Sequence, residues 1–207
     1  MIILVASVVL GTGVVIYGTS LFQTGAQQQA ISVQGTAVWV NATDSTGLAW
    51  GAAAIRNSGD KLVSVDQIVI RGTTVPFSNW YVDANQLRVD TDNFQSQFNH
   101  TGTDTLNTHG MRDSVNSGYS VTTTCPGSVG TDDEVLEIDL DGTTATKPTL
   151  CMKQASGPTG LNPGERMIVY FKLPTGVLSP VDAGSTAGVS IFAGQAGAPT
   201  SVTIGNP

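Results

Sequence analysis

Cys125 and Cys151 are the only two cysteines in the chain, and their separation offers one kind of chemistry more readily than any other. They form no CxxC pair and neither has a histidine beside it, so a metal or redox site is poorly served. In an oxidising compartment an isolated pair is most simply a disulfide. Closing a loop of about 25 residues would stabilise a fold by roughly 3 kcal/mol in the chain-entropy picture. The two histidines, His100 and His109, share one polar stretch and suggest solvated loop residues rather than a catalytic base. No Gly-x-Ser-x-Gly elbow and no His-Glu-x-x-His occurs. A copper site would need histidines near Cys151-Met152, and none follows. The oxygen-rich clusters Asp90-Thr-Asp92-Asn93, Asp132-Asp133-Glu134 and Asp139-Leu-Asp141-Gly142 suit a hard cation in ligand type, but none completes an EF-hand loop. The expectation is a protein with no catalytic residue, no cofactor and no metal. Two triplets, Asn41-Ala-Thr43 and Asn99-His-Thr101, have the pattern of N-glycosylation acceptors.

The elements that would carry these residues fall into two regions of contrasting composition. All 25 charged side chains (9 basic, 16 acidic) lie at or beyond Asp44, and the net charge of −7 therefore belongs wholly to the later part. That sign argues against nucleic acid or an anionic membrane surface as partner. Low charge, 12% of residues, with frequent Gly, Thr, Ser and Asn suits an extracellular β protein.

Met1 to Phe22 is mostly apolar and would be roughly 33 Å long as a helix, close to the bilayer core of about 30 Å. A signal peptide needs basic residues ahead of its apolar run, and an anchor usually has them on its cytoplasmic flank. Neither is present, and the simplest account is a basic leader removed in front of Met1. Gly11, Gly18 and Gly25 recur every seven residues, and Ser7 with Gly11 adds a small-xxx-small pair. Such a stripe lets neighbouring helices approach closely. Gln23 to Gln34 continues as a polar neck with Ala26, Ala30 and Ile31 in a helical rhythm, and Gly35 is its stop.

Strand patterns follow: Thr36–Asn41, Leu48–Ile55, Leu62–Ile70, Trp80–Val82, Leu87–Val89, Tyr119–Thr123, Val135–Leu140, Met167–Leu173, Gly188–Phe192 and Ser201–Ile204. Short strands between Asp/Ser/Gly turns indicate a sandwich. Residues 91–118 are strand-poor and polar, as an exposed functional loop would be. The expected fold is α+β: a hydrophobic assembly helix over 1–35, then an Ig-like β-sandwich over 36–207 with that insertion.

This layout, carried by Ile2 to Phe22, the neck Gln23 to Gln34 and the strand runs from Thr36 onward, resembles the archaeal type IV filament subunits, the archaeal type IV pilins and archaellins. Bacterial type IV pilins carry a Glu close behind the mature N-terminus, whereas Leu4-Val5-Ala6 has no acid. The resemblance implies a leader trimmed by a class III signal peptidase, helices bundled in a filament core and Ig-like domains coating its outside. It implies a structural subunit of an extracellular pilus for surface adhesion, inserted in the membrane before assembly. The subunit's partner would be itself, in a helical homopolymer, with surface or cell contacts through the outer domain. A helix apolar all round must be buried, and repeated head-to-tail contacts give an open filament. The alternatives are the archaellin of a motility filament and, from another class, a membrane-anchored surface binding module.

Overall fold

The computed structural model of the chain describes residues 29–42, 47–89, 111–113, 135–138 and 150–206. Twelve strands run through it: β1 (Ile31–Val40), β2 (Ala49–Asn57), β3 (Val63–Ile70), β4 (Thr73–Thr74), β5 (Trp80–Asp83), β6 (Met111–Asp113), β7 (Val135–Ile138), β8 (Leu150–Gln154), β9 (Thr159–Leu161), β10 (Arg166–Lys172), β11 (Thr186–Ala193) and β12 (Ala196–Gly205). The periodicity of the sequence explains several directly. In β11, Ala187, Val189, Ile191 and Ala193 are buried while Thr186 and Gly188 face water, the period-2 signature of a strand with one covered face. β2 and β10 are buried on both faces. Hence Ala49-Trp-Gly-Ala-Ala-Ala-Ile55 and Met167-Ile-Val-Tyr-Phe171 are continuous apolar runs without alternation.

The strands form one hydrogen-bonded path in the order β4-β3-β11-β12-β1-β2-β10-β5-β8-β7-β6, with β9 paired to β3 off that path. β1 joins its two halves. Along its length β1 pairs antiparallel with β2, from Ile31 opposite Asn57 to Val40 opposite Ala49. At its far end it also pairs in parallel with β12, Val38 opposite Ile204 and Trp39 opposite Gly205. The halves share one apolar core, which takes Val38, Val40, Ala53, Ile55, Val169 and Phe171 from one side and Val65, Ile68, Ile70, Val189, Ile191 and Ile204 from the other.

This architecture corrects the α+β expectation. Among the described residues no helix reaches seven residues. The only helical turns there are two three-residue 3-10 helices, Phe77–Asn79 and Pro180–Asp182. Strand dominates, and the sheet curls into a half-barrel. In place of the expected Ig-like sandwich of separate layers there is one continuous sheet, because β1 hydrogen-bonds to both halves.

Among the described residues there is no long apolar helix, and residues 1–28, where it was expected, lie outside them. Its expected continuation to Gln34 is overturned at Ile31–Gln34, which are strand. Ile31 and Val33 share one face and pack on the core, and this period-2 pairing of β-branched residues prevails over the helical spacing of Ala26, Ala30 and Ile31. A register shift between Val33 and Gly35 places a bulge where a helix stop was expected.

One further difference is local. Leu87–Val89 is a turn, since Arg88 N–H and Val89 N–H both donate to the Asn85 carbonyl at 2.8 and 3.0 Å and the Asn85 side chain accepts from Leu87 N–H at 3.0 Å. The stretch 91–118, expected to be strand-poor, contains the three-residue β6, which pairs with β7. The expected strand Tyr119–Thr123 lies outside the described residues.

Candidate functional site

The residues singled out for chemistry in the sequence fall largely outside the described structure. Ser7, Gly11, Gly18 and Gly25 do so, as do Asn99, His100, His109, Cys125 and the acidic clusters at Asp90, Asp132 and Asp139. Two are inside it. Cys151 lies in β8 and is buried, and no described cysteine is a free thiol. Asn41 follows β1 and is 0% exposed, its N–H donating to the Leu48 carbonyl at 2.9 Å. Its side chain is closed to a glycosyl transferase in the folded domain, so modification there would have to precede folding. Among the described residues no group of His, Cys, Asp and Glu could hold a metal ion, and no helix is long and apolar enough to cross a membrane.

The structure instead brings together side chains that the sequence left unremarked. The first group centres on Asp83 at the end of β5. Its carboxylate is 2% exposed and is paired with Arg88. Oδ2 accepts from Arg88 Nε at 2.7 Å and from the Cys151 N–H at 2.9 Å. Oδ1 accepts from Arg88 Nη2 at 3.2 Å and from the Asn85 N–H at 2.9 Å. Four donors around one buried carboxylate meet the condition under which a buried charge is tolerated. Beside it, Gln86 reads the backbone of Arg166 in both directions, donating to its carbonyl at 2.8 Å and accepting from its N–H at 3.0 Å.

A second group is a buried aromatic face on the side of the sheet away from the shared core. Trp39 stacks on Tyr170 with centroids 6.4 Å apart, and Trp50 tilts against Tyr81 at 5.8 Å. Ala52, Ala54, Ile168, Leu150 and Met152 complete this second cluster together with Val89. It is the reason that β2 and β10 are apolar on both faces.

The third group ties the β3–β4 turn to the approach of β11. Arg71, at φ 47°, and Gly72, at φ 79°, make the two-residue turn, the left-handed pair that such hairpins require. Arg71 donates to Asp182 Oδ1 at 2.9 Å and to Ser185 Oγ at 3.3 Å. Asp182 also accepts from the Ser179 N–H and hydroxyl at 2.7 and 2.8 Å, a capping box on its short helix. The Ser179 N–H first, then its hydroxyl and the Arg71 guanidinium, hold the Asp182 carboxyl below its ordinary value. Asn57, 0% exposed, performs a similar tie inside the domain. Its amide donates to the Lys61 and Leu161 carbonyls at 2.7 and 2.9 Å and accepts from the Gly59 N–H at 2.9 Å.

The carboxylates of Asp83 and Asp182 and the amide of Asn57 are each held by several neighbours, and none of the groups presents a nucleophile beside a base. Their chemistry is that of holding loops and strands in place. In the sequence the only trace of the Asp83 group was the turn signal Asp83-Ala-Asn85 between two apolar runs, because its other donors come from residues as far away as Cys151. Comparison of the chain with protein-family models and with curated proteins returns no match.

Proposed function

We propose that this protein is the structural subunit of an extracellular filament of the archaeal type IV pilus kind, which polymerises through its charge-free N-terminal segment and carries its β domain on the outside. The observation that carries this reading is the charge distribution: no Lys, Arg, Asp or Glu precedes Asp44, and Ile2 to Phe22 is almost wholly apolar. Apolar surface of that extent is stable only when buried, each large side chain contributing about 1.5–3 kcal/mol on burial. Copies of the same segment supply the burial once the subunit has left the membrane.

Features of the β domain support the reading. Its exposed large hydrophobics are Leu62, Leu87 and Val181 among the described residues, scattered single residues rather than an adhesive patch. Among the described residues the hydrogen-bonded path of the sheet ends on the two-residue β4 and the three-residue β6, and short edge strands discourage edge-to-edge pairing. A domain so finished suits a solvated coat, and it leaves the drive for assembly to the N-terminal segment. The Cys125–Cys151 bridge belongs to the same proposal, supported by the absence of a free thiol at Cys151. An intact mass two hydrogens below the reduced value is expected under non-reducing conditions, whereas two free thiols would refute the bridge.

The experiment that tests assembly is substitution at glycines of the charge-free segment. Gly11→Asp or Gly18→Asp should abolish filaments while leaving the β domain folded, as judged by its far-ultraviolet spectrum. Normal filaments from both variants would count against the reading and favour a single anchored copy.

A further inference from the structure

We infer that Asp83 is a clamp that ties together two stems, the turn Asn85–Val89 and the start of β8 at Leu150–Cys151, so that the two are held and loosened as one unit. Between these stems in the sequence lie β6 and β7, which extend the same sheet beyond β8. Asp83 bonds to both sides. On the outgoing stem it takes the Asn85 N–H and both nitrogens of the Arg88 fork. On the returning stem it takes the N–H of Cys151.

The position is set by where the backbone ladder ends. β5 pairs with β8 through Tyr81 opposite Gln154 and Val82 opposite Lys153. Asp83 is the last residue of β5, and its side chain accepts from the N–H of Cys151, two residues before Lys153 on β8. The same carboxylate is held by Arg88, whose own turn is closed on Asn85. Val89 and Leu150, the last and first described residues of the two stems, are 2% and 0% exposed and lie in one apolar cluster. Charge-assisted bonds in a buried setting are the strong ones, and removing one member of such a set leaves the others unpaired. Loss of Asp83 therefore releases Asn85, Arg88 and Cys151 together.

Amide hydrogen exchange on the full-length protein tests this. In Asp83→Asn, exchange at the Asn85 and Cys151 amides should accelerate together by at least tenfold, while Ala53 in β2 and Val169 in β10 keep their wild-type rates. Arg88→Gln, which spares the carboxylate, should produce a smaller acceleration at the same two amides and serves if the first variant does not fold. Acceleration at Cys151 without Asn85 would overturn the inference, since the stems would then be independent. Uniform acceleration at all four amides in both variants would overturn it as well, because Asp83 would then be a general stabiliser.

Discussion

Gly51 lies in β2 where a Cβ would stand 2.2 Å from Cε2 and 2.4 Å from Cζ of the Phe171 ring, with the Ala37 carbonyl at 3.2 Å. Phe171 is fully buried, so the ring has no free volume to enter. Gly51→Ala should cost about 1–3 kcal/mol, the usual range for overpacking a core, read as a lower denaturation midpoint at unchanged slope. Asp182 gives a prediction of a different kind. Its folded carboxyl is held below the ordinary value of 3.8, so its contribution to stability is present above 3.8 and is lost as pH falls through the folded value. The difference in melting temperature between the wild type and Asp182→Asn should be largest near neutral pH and should close progressively below pH 3.8. Because Arg71 and Asp182 are partly exposed, added salt should shrink the difference too. Neither residue announced its role in the sequence. Gly51 reads there as one of many glycines, and the partners of Asp182 at Arg71 and Ser185 depend on how the β3–β4 turn is placed.

Most strands were legible from alternation or from unbroken apolar runs, as β3, β10 and β11 show. What misled was the junction ahead of them. Gln and Ala around Gln23–Gln34 carry helical preference, but from Ile31 onward that preference is a weak prior against a neighbouring strand that offers Asn57, Arg56 and Ile55 as partners. Leu87–Val89 failed for the opposite reason: three residues of strand character were captured by the Asn85 side chain and carbonyl. The shared core was readable as a set of apolar residues, whereas the second cluster behind Trp39 and Trp50 was not, since a doubly buried strand looks like any apolar run. Ile168, 0% exposed in that second cluster, tests its weight. Ile168→Ala should destabilise the domain by about 2–5 kcal/mol, as in any true core, and a cost below about 1 kcal/mol in chemical denaturation would demote that face to a surface. Asn57 is the tie between elements most open to test. Asn57→Ala leaves the buried Leu161 carbonyl without its Asn57 donor, at a cost of about 1–3 kcal/mol, while the Gly59 N–H keeps the Ala30 carbonyl at 3.2 Å.

At the scale of the whole molecule, an acidic β domain follows an opening segment that carries no charge. The domain's half-barrel depends on β1 pairing with both halves at once, which no local pattern encodes, so the continuous sheet could not be read from strand propensities. The division of charge needed no structure to be seen, and it bears most of the functional argument. The central claim is that this chain is the repeating unit of an extracellular filament. Electron microscopy of filaments sheared from cells, with mass spectrometry of the same fraction, addresses it most directly. The account predicts regular filaments whose dominant peptides, including those from Ile2 to Phe22, come from this chain. Recovery of the chain solely from the membrane fraction, as a monomer in detergent and with no filament containing it, would contradict it.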